Sequence, residues 1–245
     1  MSNVVLSDDL LKLYFSFARN GQVTNDKSGN NVTKITKLLS CIKEFYTNKE
    51  QLKRCGITEE IMPAVESMPL FTLDNTTTEL KNLILKSKLK LLLTDKNSTE
   101  QDIISYNILS PNPKYGFHYS MTFKSGNDKS FAVNHIIKLL KNAVKVEIVD
   151  PYFDNNQFSA NLALLDRFIT NKTNQLEITC DVSNNLVNLK SRLISFGYTN
   201  TKCPQIPQNT HDRYIKANGV KIHLSSGFYA LTQQNKELTY MVEIL

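Results

Sequence analysis

THDRYIKANGVKIHLSSGF, residues 210–228, is the stretch from which the fold of this chain is best read. Two apolar runs, residues 214–217 and 220–224, flank the dipeptide Asn218-Gly219. This arrangement is typical of a β-hairpin, because Asn and Gly tolerate the positive φ angles of its tight turn. The sequence therefore predicts two antiparallel strands here.

Polar side chains stand at the open end of this predicted hairpin. His211 and Arg213 come just before its first strand, and Ser225 and Ser226 follow its second. Arginine presents a charged, bidentate fork to a phosphate, and an imidazole can act as nucleophile or proton donor near neutral pH. The pattern indicates a phosphate-binding site at this end of the hairpin.

The surrounding residues predict a sheet on which such a site can lie. Helical periodicity alternates with β-branched or alternating runs, and the chain ends on a strand at residues 237–245. The predicted helices cover residues 130–142, 158–170 and 184–196, and the predicted strands cover residues 115–123, 144–149 and 176–182. This order predicts an α/β domain over residues 125–245, with a mixed sheet flanked by helices.

The first part of the chain, residues 1–110, is predicted to be mostly helical. Apolar residues recur at helical spacing in residues 4–20 and 32–48, and the pattern of residues 49–68 predicts a broken helix. Thr76 and Glu79 have the spacing of a capping box before a further helix. The prolines of Ser110-Pro-Asn-Pro113 disfavour helix and mark the predicted boundary between the two parts.

Composition narrows the class of protein and of partner. The 245 residues are 41% hydrophobic and 21% charged, as in a folded globular protein rather than a disordered one. The net charge of +6 and pI near 9.0 suit an anionic partner, although charge alone does not identify it. No transmembrane run or secretory signal is evident, and the four cysteines are widely spaced. We therefore expect reduced thiols, no metal or cofactor, and a cytoplasmic protein, peripheral at membranes if its partner is lipid.

The polar residues around the hairpin resemble the HxK(x)4D(x)6GSxN signature of the phospholipase D superfamily. A downstream acid also resembles the one that orients the histidine in that superfamily. The matching positions are His211, Arg213 for the lysine, Asn218 for the aspartate, Ser225 and Ser226 for the GS pair, Phe228 for the final asparagine, and Glu237 for the downstream acid. The turn Asp150-Pro-Tyr is similar to the one that opens such domains. The HDR variant most resembles the C-terminal domain of MIT-domain proteins.

This resemblance implies a homodimer, because two such motifs build one site and this chain carries only one. The implied catalytic residues are His211, Arg213 and Glu237, and the implied phosphate ligands are Arg213, Asn218, Ser225 and Ser226. One implied function is a metal-independent phosphodiesterase or nuclease. The alternative is a non-catalytic dimer that binds anionic phospholipid headgroups, and a third is a scaffold whose N-terminal helices recruit a protein partner.

Overall fold

The structure, a computed structural model, describes residues 4–23, 30–41, 44–96, 102–111, 114–115, 118–154, 157–181, 186–206 and 211–245. The chain divides into two units, Met1–Phe117 (unit 1) and His118–Leu245 (unit 2). The residues of the predicted phosphate site all lie in unit 2. No helix in the described part of the chain is both long and apolar enough to span a membrane.

Unit 2 is a mixed sheet flanked by helices, which confirms the α/β fold class predicted from sequence. Its elements are β7 (His118–Phe123), α6 (Ser130–Leu140), β8 (Lys145–Val149), α7 (Phe158–Phe168), β9 (Gln175–Thr179), α8 (Leu186–Ser195), β10 (Thr201–Lys202), β11 (Tyr214–Ala217), β12 (Val220–Leu224) and β13 (Leu238–Ile244). Within this unit the strands lie in the order β10-β9-β8-β11-β12-β13-β7. Strands β8, β9 and β10 are parallel, and the remaining pairs are antiparallel.

The hairpin of β11 and β12 forms as predicted. Ala217 pairs with Val220 across its turn, and the two turn residues, Asn218 and Gly219, have φ values of 50° and 75°. Residues on one face of these strands are buried, and those on the other face carry charged or aromatic side chains. The period-2 alternation of the sequence therefore places one face of the hairpin in the core.

The cations on the more exposed face of the sheet already have partners. Nζ of Lys216 lies 3.5 Å from Oε1 of Glu147, and Nζ of Lys221 lies 4.4 Å from the centre of the Tyr214 ring. Nε2 of His223 lies at hydrogen-bond distance, 3.2 Å, from Oε2 of Glu243. These side chains stabilise the sheet face and are less free to bind an external anion.

Unit 1 is organised around short parallel strands. Its elements are β1 (Val5–Leu6), α1 (Asp8–Asn20), α2 (Asn31–Cys41), β2 (Phe45–Asn48), α3 (Lys49–Arg54), α4 (Met62–Glu66), β3 (Phe71–Asp74), α5 (Leu80–Lys86), β4 (Leu92–Thr94), β5 (Ser105–Asn107) and β6 (Lys114–Tyr115). Strands β1, β4 and β5 form one parallel sheet, and β2 pairs with β3. A parallel bridge from Val4 to Phe45 joins these two groups in the order β3-β2-β1-β4-β5.

Helices are the longer elements of unit 1, as predicted, but its strands were missed. The helix predicted to reach residue 48 ends at Cys41, and Phe45–Asn48 is a strand. The predicted capping box is also wrong, because the Thr76 amide and hydroxyl donate to Asp74 rather than capping α5. Strands of two to four residues buried in a parallel sheet show no alternation, so periodicity cannot distinguish them from helix.

Candidate functional site

Four strand ends meet at one edge of the unit 2 sheet. Asp150 follows β8, Arg213 precedes β11, Ser225 follows β12 and Glu237 precedes β13. Backbone hydrogen bonds hold these ends together, since the Leu224 amide donates to the Arg213 carbonyl and the Ser225 amide to that of Thr239, both at 2.9 Å. The antiparallel order of β8, β11, β12 and β13 therefore places Arg213 and Ser225 at the same end of the sheet, with Asp150 on the strand beside Arg213.

Asp150 is the buried centre of this edge, with a side chain only 2% exposed. Its Oδ2 accepts a hydrogen bond from the Phe228 amide at 2.6 Å, and its Oδ1 accepts one from the Tyr152 amide at 3.0 Å. Burial raises the pKa of this carboxyl above its usual range, although the two amides and the Arg213 charge act against that rise. Asp150 thus stabilises the turn after β8 and, through the Phe228 amide, holds the backbone that follows β12.

Arg213 lies beside this carboxylate without a hydrogen bond to it. Its Nε is 4.0 Å from Oδ1 of Asp150, and its side chain is 19% exposed. Nε is buried and has no hydrogen-bond partner among the described residues. The guanidinium carbon also lies 5.5 Å from the centre of the half-exposed Tyr152 ring. The cation is therefore held by charge and by an aromatic face, and its planar donors remain available for an anion.

His211 is exposed, two residues before Arg213. No hydrogen bond or ion pair joins it to another residue that the structure describes. Glu237, the acid proposed to orient it, is also exposed, and its backbone carbonyl rather than its carboxylate makes the contact with Ser226. Strand β12 separates β11 from β13, so their ends are roughly 10 Å apart. Within one chain, the structure does not bring Glu237 to His211.

The two serines differ in whether the hydroxyl hydrogen is already donated to another residue. The Ser225 hydroxyl accepts a hydrogen bond from the Thr239 amide at 2.8 Å, so its own hydrogen is not used in that contact. The Ser226 hydroxyl donates to the Glu237 carbonyl at 3.0 Å. Because a hydroxyl has one hydrogen to donate, Ser225 is the better donor to an external phosphate.

Asn218 lies at the opposite end of the hairpin from the other predicted ligands. Its side-chain amide donates to the carbonyls of Leu139 and Lys141, at 2.9 and 3.0 Å. The four residues of β11 lie between it and Arg213, so five residue steps separate the two by roughly 17 Å. Asn218 therefore connects the hairpin turn to the end of α6 by hydrogen bonds, at a distance from Arg213 that is too long for both side chains to bind one phosphate.

Asp150 lies in the turn after β8, as the sequence predicts, but its proximity to Arg213 was not predicted. The only signal was the strand that stops at Asp150-Pro151, and nothing in that dipeptide indicates a partner 63 positions later. The motif aligned Phe228 with an asparagine side chain, whereas in the structure Phe228 contributes its backbone amide, which donates a hydrogen bond to Asp150.

No cluster of three His, Cys, Asp or Glu side chains suited to a metal ion occurs among the described residues.

Comparison with known proteins gives remote similarities to solved structures. No protein-family model matches the chain, and no curated protein matches it. Among solved structures, it is similar to TrmBL2, an archaeal chromatin protein with a novel mode of DNA binding, at 10% identity and a TM-score of 0.29. It is also similar to Nuc of Salmonella typhimurium, a phospholipase D family member, at 10% identity and a TM-score of 0.33.

The two matches cover about half of this chain. The first spans 51% of this chain and 46% of TrmBL2, so less than half of that protein's length is represented. The second spans 52% of this chain and 82% of Nuc. Similarity at this level says nothing about the substrate of the present chain, which has to be inferred from its own residues.

Proposed function

We propose that unit 2 is a phospholipase D-like domain that binds the phosphate of a phosphodiester at the sheet edge carrying Arg213. The observation that supports this most is the environment of the Arg213 side chain. Its guanidinium is held beside buried Asp150, yet it makes no hydrogen bond to another described residue. A largely buried cation with unused donors is suited to a ligand that supplies two anionic oxygens.

The neighbouring side chains complete a phosphate site of modest size. Arg213 supplies the bidentate contact, and the Ser225 hydroxyl has a hydrogen to donate from the next strand. His211 is exposed beside them and can approach the phosphorus. Asp150 is a positioning residue, since it acts on the ligand only through Arg213.

The enzymatic form of this proposal requires a homodimer, in which two copies of His211 face one phosphate across a two-fold axis. The imidazole of one His211 attacks phosphorus, and the bond from phosphorus to the leaving oxygen breaks. His211 of the partner subunit donates its proton to that oxygen. Water then attacks phosphorus and gives its proton to this second imidazole, and the phosphorus–nitrogen bond breaks. Arg213 stabilises the charge that develops on the phosphate oxygens.

Nucleic acid is the substrate class that we favour for this site. The chain carries 29 basic and 23 acidic residues, and its net charge of +6 attracts a polyanion. Half-exposed Tyr152 lies against Arg213 and offers an aromatic face next to the phosphate position. Aromatic faces of this kind stack on nucleobases without sequence preference.

A second candidate is non-catalytic binding of anionic phospholipid headgroups. One observation favours it: neither His211 nor Glu237 has a hydrogen-bonding partner for its side chain among the described residues. A histidine whose tautomer is not fixed is a poor nucleophile, whereas Arg213 needs no such partner to hold a phosphate.

The test is to assay the full chain on labelled single-stranded DNA, RNA and phospholipid, with EDTA present. We expect His211→Ala to abolish cleavage and retain binding, and Arg213→Ala to lose both. His118→Ala is the matched control, because His118 is an exposed histidine at the opposite end of β13 from the site. Cleavage that persists in His211→Ala rejects the enzymatic form. Anionic liposomes sedimenting with wild type but not Arg213→Ala, without any cleavage, select the lipid-binding form.

A further inference from the structure

Unit 1 carries an apolar groove between helix α1 and the segment of residues 55–68, with a volume of about 620 Å³. Helix α1 contributes Phe15 to the groove, and the second segment contributes Ile61, Val65 and Met68. Val65 is buried, but Ile61 is 38% exposed, and Phe15 and Met68 are partly exposed. Apolar side chains that meet solvent together in one groove are typical of a binding surface.

The α1 side of the groove is a single face of that helix. Lys12, Phe15, Ser16 and Arg19 all line the groove, and they follow one another at positions i, i+3, i+4 and i+7. Residues at this spacing lie on one side of a helix. From Lys12 to Arg19 the face is roughly 10 Å long. Its apolar ring therefore lies between two cations.

The groove has a fixed apolar surface and no reactive group. The Phe15 ring stacks on Phe71, with ring centres 5.3 Å apart and an angle of 18° between the planes. Cys55 also lines the groove, and its thiol donates to the Asp8 carbonyl at 3.5 Å. Burial raises the pKa of this thiol to about 12, so Cys55 stays protonated. The thiol therefore acts as a further apolar contact.

The two cations of this face are available to a partner. Lys12 and Arg19 are both exposed, and neither makes a hydrogen bond or an ion pair with another residue that the structure describes. None of the described residues that line the groove is acidic. Cations alone do not identify a partner, but here they bracket an apolar surface at a defined spacing. The groove therefore suits a partner with apolar side chains between two acids.

The form of that partner follows from the groove. An extended peptide is recognised through unpaired backbone groups at a sheet edge, whereas the backbone of α1 is already paired within its own helix. A small ligand is normally enclosed over most of its surface, whereas exposed Ile61 and Ala18 leave this groove open. An amphipathic helix, which buries one face and leaves the other in water, is suited to such a groove.

We propose that this groove of unit 1 binds an acidic amphipathic helix of a partner protein. Two carboxylates seven positions apart on that helix contact Lys12 and Arg19. Apolar side chains three and four positions after the first carboxylate lie against Phe15, Ile61 and Met68. Two helices packed nearly parallel or antiparallel have the same rise per residue, so these spacings match. The proposal is independent of the phosphate site in unit 2.

The experiment is fluorescence anisotropy of the full chain with a labelled helical peptide of about 15 residues, a length at which isolated helices begin to form. The acidic peptide has two glutamates seven positions apart and two leucines three and four positions after the first. The basic peptide has lysines in place of the two glutamates. Every protein carries Arg213→Ala, which removes the cation proposed to bind anions in unit 2. We expect wild-type unit 1 to bind the acidic peptide at least tenfold more tightly than the basic one.

Charge reversal in the groove tests the role of the two cations. We expect Lys12→Glu/Arg19→Glu to bind the acidic peptide at least tenfold more weakly than the wild-type groove does. The same double variant should bind the basic peptide more tightly than the wild-type groove does. Both residues are exposed, so the substitutions should leave the fold intact, and circular dichroism checks this. A double variant that is folded but keeps the original preference for the acidic peptide would contradict the proposed contacts.

Ile61→Glu is the decisive variant for the apolar surface, because it places a carboxylate where the leucines should lie. We expect at least a tenfold loss of affinity. Val32→Glu is the matched control, an exposed aliphatic residue of the same unit, 48% exposed and outside the groove. Absence of binding at millimolar peptide, or unchanged affinity of folded Ile61→Glu, would overturn the proposal. Sedimentation with anionic vesicles that is lost in Ile61→Glu, without peptide binding, would also overturn it and assign the groove to lipid.

Discussion

Nε of Arg213 lies 4.0 Å from Oδ1 of Asp150, within ion-pair distance but too far for a hydrogen bond. Each oxygen of the carboxylate accepts a hydrogen bond from a backbone amide, Oδ2 from Phe228 and Oδ1 from Tyr152. Asp150 therefore fixes two loops of the sheet edge and balances the charge of Arg213 at the same time. The guanidinium is held in place, and its donors make no hydrogen bond to the other residues that the structure describes.

The raised pKa of Asp150 gives the stability of unit 2 a defined dependence on pH. Because burial raises this pKa above its usual value of 3.8, the folded protein binds the proton more tightly than the unfolded chain. The contribution of Asp150 to the free energy of unfolding therefore falls as pH rises from about 4 through the raised pKa, and then levels off. Asp150→Asn removes this titration. We expect the stability of wild type relative to Asp150→Asn to be highest in acid and to fall with pH.

Urea unfolding followed by circular dichroism between pH 4 and 7 measures this difference. Asp212→Asn provides the control, since Asp212 is exposed and adjacent to Arg213. A difference that instead rises with pH would mean that Arg213 and the two amides outweigh burial, and that the pKa of Asp150 is lowered.

Gly227 packs closely against the Tyr229 ring and the Asp150 carboxylate. A Cβ atom added there would lie 2.9 Å from Cε1 of Tyr229 and 3.3 Å from Oδ2 of Asp150. Overpacking of this kind destabilises proteins by about 1–3 kcal/mol. We expect Gly227→Ala to lower the free energy of unfolding of unit 2 by that amount, measured as faster thiol labelling of buried Cys180 in urea.

The double variant Gly227→Ala/Tyr229→Ala tests the cause of this loss. If the Tyr229 ring is the obstacle, removing it restores part of the stability, and the two substitutions are not additive. Additive losses would show that the clash lies elsewhere, with the Asp150 carboxylate as the remaining close neighbour.

The two parts of the chain differ in how far the sequence predicted them. In unit 2, Asn218-Gly219 between apolar runs specified the hairpin, and alternating periodicity specified the sheet. In unit 1, β1 has two residues and β4 has three, too few for any period to show. Sequence order also could not show that Asp150 contacts the chain at Phe228, because strand pairing between distant segments creates that contact.

The residues of the candidate site remain a prediction, and the structure shows only where they lie relative to one another. The spacing of His211 and Arg213 indicated a phosphate site, and the structure places Arg213 at a sheet edge with Ser225. The same motif predicted Asn218 as a ligand. The length of the four-residue strand β11, however, places Asn218 at the other end of the hairpin. A linear motif does not distinguish a residue that binds the ligand from one that supports the strand.

Ser225 and Ser226 should differ in their effect on phosphate binding. Ser225 keeps a hydrogen to donate, whereas the hydrogen of Ser226 is used on the Glu237 carbonyl. Loss of one hydrogen bond to a charged group costs about 1.5–3 kcal/mol, or roughly a 10- to 150-fold loss of affinity. We expect Ser225→Ala to weaken oligonucleotide binding by this factor and Ser226→Ala by much less.

Ser225→Thr is the control for this pair, because it keeps the hydroxyl group and should retain most of the affinity. Fluorescence anisotropy with a labelled oligonucleotide measures all three variants at one salt concentration, since salt alone changes such affinities. Equal losses in Ser225→Ala and Ser226→Ala would mean that both act only by holding β12 to β13.

Asn218 should affect stability and leave phosphate binding unchanged. Its φ of 50° and its two hydrogen bonds, to the carbonyls of Leu139 and Lys141, assign it to the hairpin turn. Asn218→Ala loses both bonds and strains a left-handed backbone, whereas Asn218→Gly loses the bonds but accepts that φ. We expect Asn218→Ala to be less stable than Asn218→Gly by about 1 kcal/mol in the Cys180 labelling assay. Both variants should bind the oligonucleotide like wild type at temperatures where they are folded, and a tenfold loss in folded Asn218→Gly would return Asn218 to the binding site.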